Sequence, residues 1–277
     1  MIGSGIQASK SPALHVAEAE ALGLHLTYDL FDASVGDFRP EELGDLLNRL
    51  QADGYAGVNV THPFKQSVIP YLNDLSEDVR ALGAVNTVVF GAKGRVGHNT
   101  DWIGWKRGFT RALPNAKLGQ VVQLGAGGAG AAVAYAALDL GVERLLIHDV
   151  DAGRVDALRA KLGAKFGDGR LGRVDDIGAA MAGACGLINA TPVGMLQYPG
   201  VPIDPALLRP DMWVAEVVYV PLDTELLGHA RRMGCATVDG GGMVVFQAAE
   251  AFHLFTGVAP DADRMTKAFR KLFLAEA

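Results

Sequence analysis

The run Gly125-Ala126-Gly127-Gly128-Ala129-Gly130 fits the pattern G-x-G-x-x-G and lies between a strand-like stretch and a helix-like one. That context gives a common pattern its chemistry. Glycines let the backbone approach a pyrophosphate, and a helix N-terminus offers unpaired N–H groups and the positive end of its dipole. The next strand ends in His148-Asp149, close to the offset of roughly 20 residues at which an acidic side chain meets an adenosine ribose. A carboxylate there accepts from the ribose hydroxyls and repels a 2′-phosphate, so it selects NAD over NADP. Arg154, five residues on, either pairs with a phosphate or is a solvated arginine in the first turn of a helix.

Three polar turns in the rest of the chain carry side chains of another kind. In Gly57-Val58-Asn59-Val60-Thr61-His62-Pro63-Phe64-Lys65 a strand ends in Asn-Val-Thr and is followed by a lysine. Asn59, Thr61 and Lys65 then fall at the carboxyl edge of a sheet, where open α/β folds bind ligands. Pattern alone favours a plainer reading of Lys65, a surface lysine at the start of a helix. In Gly97-His98-Asn99-Thr100-Asp101, Asp101 reads as the N-cap of a helix beginning near Trp102, a role compatible with catalysis. Ser9-Lys10-Ser11-Pro12 reads as the cap of a first helix with proline at its start.

The elements that must hold these turns alternate. His25 to Phe31 has strand alternation, Pro40 to Ala52 has helical spacing at Leu43, Leu46, Leu47 and Leu50, and Tyr55 to Val60 and Ala84 to Phe90 read as strands. This alternation implies a mostly parallel sheet with helices on both faces. A second unit starts near Gly119. Gln120 to Leu124, Glu143 to His148, Leu187 to Ala190, Trp213 to Val218 and Ala236 to Val238 are its strands, and Gly128 to Leu140 and Val155 to Leu162 are helices among them. Such a rhythm predicts a doubly wound nucleotide-binding sheet. Val244 to Phe255 and Ala262 to Leu274 are helical after Gly240-Gly241-Gly242.

Composition narrows the class further. The 277 residues are 49% hydrophobic and 20% charged, with 35 glycines, which fits a two-domain globular enzyme rich in tight turns. A formal net charge of -6 without any Lys/Arg run argues against nucleic acid and anionic membranes as partners. No apolar run is long enough to span a bilayer, no signal-peptide pattern opens the chain, and Cys185 and Cys235 show no metal-ligand or redox spacing. Buried, reduced thiols and a soluble cytoplasmic protein without a metal are expected.

Read together, the turns resemble the shikimate/quinate dehydrogenase family over essentially the whole chain. The matching stretches are Ser9 to Pro12, Asn59 to Lys65, Gly83-Ala84-Val85-Asn86-Thr87, Asn99-Thr100-Asp101 and Gly125 to Gly130. Asn189-Ala190-Thr191-Pro192-Val193-Gly194-Met195, Gly242-Met243 and Phe246-Gln247-Ala248 follow. His62 and His98 occupy variable positions of those motifs. The resemblance implies a Rossmann-type dinucleotide domain at 103–241 and a discontinuous α/β substrate domain at 1–102 and 242–277, with a cleft between them. It implies Lys65 as acid/base and Asp101 as its orienting partner. Ser9 and Ser11 would hold a substrate carboxylate, and Asn59, Thr61, Asn86, Asp101 and Gln247 the ring hydroxyls, with Tyr219 lining the pocket.

On the coenzyme side the resemblance adds Thr191 to Gly125, Ala126, Gly127, Gly128, Ala129, Asp149 and Arg154, and sets Met195, Val217, Gly240 and Met243 around a nicotinamide. Many of the family's biosynthetic members carry Asn-Arg-Thr where this chain has His148-Asp149-Val150, and its NAD-using quinate/shikimate members are the better match there. Serine at Ser11, where some quinate-accepting members have threonine, favours shikimate. The expected activity is NAD-dependent oxidation of the 3-hydroxyl of shikimate, with quinate as a second substrate. An aminoshikimate or related cyclic hydroxy-acid dehydrogenase, a non-catalytic NAD sensor and a homodimer stay open. Met1-Ile2-Gly3 corresponds to the interior of the family's first strand, so the strand is expected to be clipped or the natural start to lie upstream.

Overall fold

The computed structural model describes residues 1–274. In chain order its first elements are β1 (Ile2–Gly3), α1 (Ser11–Ala21), β2 (Phe31–Asp32), α2 (Leu43–Ala52), β3 (Gly57–Asn59), β4 (Asp74–Leu75), α3 (Glu77–Leu82), β5 (Thr87–Gly91), β6 (Gly94–His98) and α4 (Thr100–Ala112). There follow β7 (Gln120–Leu124), α5 (Gly128–Leu140), β8 (Arg144–His148), α6 (Ala152–Phe166), β9 (Leu171–Arg173), α7 (Ile177–Ala182), β10 (Gly186–Asn189), β11 (Trp213–Glu216), α8 (Glu225–Arg232), β12 (Ala236–Val238), α9 (Gly241–Thr256) and α10 (Ala262–Leu274). The chain divides into two units, one of Met1–Thr100 with the chain from Val245 onward, the other Asp101–Val244. No helix among the described residues is long and apolar enough to cross a membrane.

The second unit is a six-stranded sheet in the order β12-β11-β10-β7-β8-β9, every pair parallel. This is the doubly wound Rossmann order, and its direction reverses between β7 and β10. The strands are buried apolar runs, as parallel strands covered on both faces must be. Val122, Leu124, Leu187 and Val214 join Met181, Leu226 and Leu227 of the helices in one core. The alanines of α5 allow its backbone to lie close to the sheet, and Gly141 ends it at φ 105°, a conformation that disfavours any residue with a Cβ.

In the first unit β1 and β2 pair in parallel, and a parallel bridge from Ile2 to Val60 joins them to the chain leaving β3. The order then runs β3-β5-β6-β4, with β3/β5 and β5/β6 antiparallel and β4/β6 parallel. The mostly parallel sheet expected from alternation is therefore mixed. Its cause is a hairpin the sequence reading passed over: Gly91 pairs with Gly94, leaving a two-residue loop that forces an antiparallel return, with Gly94 at φ 102°. α2 buries Leu43, Leu46, Leu47 and Leu50 against Val58, Val60 and Val88, at about 1.5–3 kcal/mol of apolar transfer for each leucine.

Three local expectations are corrected. His25 to Leu30 alternates exposed and half-buried residues like a strand, yet only Phe31–Asp32 pairs, because the partner β1 offers two residues. The α4 helix starts at Thr100, so Asp101 stands inside its first turn rather than capping it; a carboxylate there still meets the positive end of the helix dipole. Cys235 is buried, but Cys185 is only half-buried. Burial pushes both thiols up, away from the reactive thiolate.

Candidate active site

Local geometry explains each glycine of the turn after β7. Gly125 has φ 95°, and a Cβ there would lie 2.6 Å from the Ala190 carbonyl oxygen. At Gly130 a Cβ would lie 2.3 Å from the Gly125 carbonyl oxygen, so only glycine lets α5 close onto the strand. Positions 127 and 128 face open space, with nothing within 4 Å of a Cβ. The first turn of α5 leaves N–H groups there without helical partners. Buried Gln123 braces the turn, its amide nitrogen donating to the Gly125 and Gly130 carbonyls at 2.8 Å each. Asp149 Oδ2 accepts from the Ala126 N–H at 2.7 Å and Oδ1 from the Asp151 N–H at 2.9 Å, so a carboxylate lies against the glycine turn. Val150 beside it is 99% exposed. Arg154 lies 3.4 Å from Asp151, which also caps α6.

Three further turns leave the carboxyl ends of β10, β11 and β12. Thr191 donates its hydroxyl to Asn189 Oδ1 at 2.7 Å and accepts from the Val193 N–H, fixing the turn that carries Met195. Gly240 lies flat on the peptides after β11: a Cβ would come within 2.5 Å of the Val217 carbonyl oxygen and 2.4 Å of that of Val218. Met243 lies in the first turn of α9, where Gly108 and Gly242 bring α4 close, at 3.0 Å between a Gly108 Cβ and the Gly242 carbonyl carbon. Beneath these turns Glu216, 1% exposed, accepts from Asn189, Val217, Val218 and Thr224. Burial pushes its carboxyl up to about 7 against the pull of those four donors.

The first unit brings together Asn59, Asn86 and Gln247 through two threonines. Asn59 Nδ2 donates to Thr87 Oγ1 at 3.0 Å, Thr87 donates to Asn86 Oδ1 at 3.0 Å, and Asn86 Nδ2 donates to Thr100 Oγ1 at 3.0 Å. Thr100 reaches Gln247 Oε1 at 3.4 Å. Tyr28 donates its hydroxyl to Asn59 Oδ1 at 2.7 Å. Burial pushes the Tyr28 phenol up, and a hydrogen bond with Ser11 works the other way. Ser9 Oγ accepts from the Ser11 N–H at 3.3 Å at the entry to α1, where Lys10 holds the cap position.

Thr61 and Lys65 follow β3. Lys65 lies half-buried in a run of turns, so it does not start a helix, and its carbonyl accepts from the Val85 N–H. Asp101, 9% exposed, belongs with the second unit, as does Tyr219, which is 43% exposed. Tyr28, Gln123 and Glu216 were not among the expected site residues, and Asn189 stood in a family-like stretch without a role of its own. For Asn189 and Glu216 the signal was present, a polar residue inside an otherwise apolar strand.

Residues 1–88 match the family model described as the shikimate dehydrogenase substrate binding domain, and residues 240–268 the one described as the shikimate 5′-dehydrogenase C-terminal domain. A shikimate dehydrogenase (NADP(+)) of Streptomyces avermitilis is 51% identical over 96% of this chain and 92% of its own. The chain belongs to the shikimate/quinate dehydrogenase family. Within that family a quinate/shikimate dehydrogenase (NAD(+)) of Corynebacterium efficiens is 45% identical over 98% of this chain and 97% of its own. Quinate dehydrogenase from Corynebacterium glutamicum, solved in complex with NAD, superposes with a TM-score of 0.92 at 44% identity, covering 98% of this chain and 97% of that one.

Proposed function

We propose that the chain oxidises the 3-hydroxyl of shikimate to the 3-dehydro acid, reversibly, with NAD as coenzyme and quinate as the weaker substrate. The observation that carries the reading is the Asp149 carboxylate at 2.7 Å from the Ala126 N–H. A 2′-phosphate beside the glycine turn would meet that charge, next to an uncharged Val150 and an arginine already leaning on Asp151. The open Cβ positions at 127 and 128 and the unpaired N–H groups of α5 fit a diphosphate. Gly125 to Ala129 would hold it, Asp149 the ribose, and Met195, Val217, Gly240 and Met243 the nicotinamide, with Thr191 also on the coenzyme side. When bound, the coenzyme takes up the hydride.

The rest of the chemistry falls to side chains. Lys65 accepts the hydroxyl proton at its amine and passes it to water, and Asp101 orients that amine. Ser9 and Ser11 hold the carboxylate, and Asn59, Thr61, Asn86, Asp101 and Gln247 hold the ring hydroxyls, with Tyr219 lining the pocket. Residues 1–102 and 242–277 act as the substrate domain and 103–241 as the coenzyme domain. Quinate carries an extra hydroxyl on a saturated carbon beside its carboxylate. Left unpartnered, that hydroxyl costs about 1–3 kcal/mol, roughly one to two decades in kcat/KM.

The test is steady-state kinetics of shikimate, quinate and an amino analogue, each with NAD and with NADP. The relatives make the coenzyme arm critical, since the Streptomyces protein is named for NADP(+) and the Corynebacterium efficiens protein for NAD(+). Higher kcat/KM with NADP overturns the coenzyme reading. Binding of NAD without turnover of any of the acids leaves the sensor.

A further inference from the structure

We propose that Glu216 is a positioning residue for the nicotinamide end of the coenzyme site, its buried carboxylate tying together the turns that follow β10 and β11. The inference rests on the reading of Met195, Val217 and Gly240 as neighbours of the nicotinamide. Glu216 is the last residue of β11 and is 1% exposed, yet none of its partners is a cation. Burying a carboxylate that way is costly, and a strand needs no charge to pair. The cost has a use if several donors converge on one point, because only a carboxylate has acceptor sites for them all.

Four donors do converge, from three segments. Asn189 Nδ2 approaches Oε1 and Oε2 at 2.9 and 3.2 Å, the Val217 and Val218 N–H groups reach Oε1 at 3.0 and 3.1 Å, and the Thr224 hydroxyl reaches Oε2 at 3.1 Å. Asn189 carries the connection onward, donating to the Val193 carbonyl at 2.9 Å and accepting from Thr191. Gly240 lies against the Val217 and Val218 carbonyls. One side chain thereby sets the turn bearing Met195, the turn bearing Val217 and, through them, the seat of Gly240.

Protonation would weaken the arrangement, since a carboxyl O–H must displace one of the four donors, and burial brings that event to about pH 7. Titratable groups on the elements packed against β11 are Asp239, just beyond β12, Glu225, His229, Arg231 and Arg232 of α8, and Asp101, Lys106, Arg107 and Arg111 of α4, whose Phe109 ring meets Trp213. None of them is a hydrogen-bond partner of Glu216.

The experiment compares NADH with ADP-ribose, which lacks the nicotinamide, by fluorescence and calorimetric titration of the whole chain. In Glu216→Gln the amide N–H groups face donors. NADH binding should weaken about tenfold, the scale of one or two lost hydrogen bonds, with ADP-ribose unchanged within about twofold. In the unaltered protein NADH affinity should fall severalfold between about pH 8 and about pH 6, and in Glu216→Gln that dependence should vanish. A pH dependence that survives in the variant belongs to another group, such as His229, and overturns the proposal. So does equal weakening of both ligands, or of neither. Thr224→Val, which removes one donor, should move the midpoint of the pH dependence upward, and an unmoved midpoint counts against the proposal even if Glu216→Gln fails to fold. Failure of the unaltered protein to bind NADH or NADPH sinks the coenzyme reading itself, a result distinct from all of these.

Discussion

The two units prepare their polar groups by opposite means. In the second, the glycine turn works through backbone: a left-handed Gly125, open space at 127 and 128, and a Gly130 that admits no Cβ. In the first, the chemistry sits on buried side chains, with Asn59, Thr87, Asn86, Thr100 and Gln247 linked in sequence by hydrogen bonds. A backbone site tolerates no added atom at its tight positions and is indifferent to most neighbouring side chains. A side-chain site tolerates changes of shape but not of donor and acceptor. Substitutions should therefore fail differently in the two regions.

The largest effect is expected at Lys65. If its amine takes the hydroxyl proton, Lys65→Ala should lower kcat by roughly 10²–10⁴-fold, the scale of general acid/base catalysis. The Kd for NADH should stay as it was, because the lysine lies in the first unit and the glycine turn in the second. Near-wild-type turnover would reduce Lys65 to a half-buried structural residue.

Glycine substitutions sharpen the contrast next. Gly130→Ala pushes a methyl group to 2.3 Å from a backbone oxygen that cannot step aside. It should destabilise the second unit by about 3 kcal/mol, the upper range of overpacking. Gly127→Ala meets nothing within 4 Å, so its melting temperature should hold while coenzyme affinity drops. If both variants melt alike, steric closure is not what demands glycine at position 130.

How legible each region was in the sequence follows from the same difference. Glycine is forced where backbone must approach backbone, so the turn at Gly125 to Gly130 and the parallel sheet around it could be read from spacing. Apolar periodicity and apolar runs likewise placed α2 and five of the second unit's six strands, while the three-residue edge strand β9 was passed over. The antiparallel hairpin β5–β6 was missed although Gly91 and Gly94 flank its loop, because the residues between them are not turn formers. Asn59, Asn86 and Gln247 carry no local pattern that brings them together. Their association depends on tertiary pairing through Thr87 and Thr100; Asn59 stood out at the end of a strand, but Asn86 and Gln247 came forward only through likeness to a family. Glu216 stayed hidden because one acid inside the expected strand Trp213 to Val218 reads as a side chain turned to solvent, whereas the strand ends at this residue and its carboxylate is buried.

Glu216 allows a test of the second unit without any ligand. Its folded pKa is raised from 4.5 to about 7, so folding takes up a proton between those values. Its contribution to stability is therefore complete below about pH 4.5 and is lost as pH rises through about 7. The shift corresponds to a loss on the order of 3 kcal/mol over that window. Glu216→Gln cannot ionise, so its stability relative to the unaltered protein should improve as pH rises from about 5 to about 8, as read by denaturant melts of the coenzyme-free protein. A constant difference would mean that the carboxyl keeps an ordinary pKa.

The smallest expected effect is at Asp149, where the backbone site depends on one side chain. Its carboxylate has two roles: it accepts from the Ala126 and Asp151 N–H groups, and it sets a negative charge where a 2′-phosphate would lie. Asp149→Asn keeps an acceptor for the Ala126 N–H and removes the charge, whereas Asp149→Ala removes both. A charge at a partly solvated site is worth about 1 kcal/mol against a phosphate. Asp149→Asn should thus narrow the preference for NAD over NADP by several-fold with little change in NAD affinity. Asp149→Ala should narrow it equally and also weaken NAD, because the turn at Ala126 is released. The ratio of kcat/KM for the two coenzymes in both variants separates the roles. If the ratio does not move in either, discrimination comes from elsewhere in the β8–α6 turn, and exposed Val150 is the next residue to change.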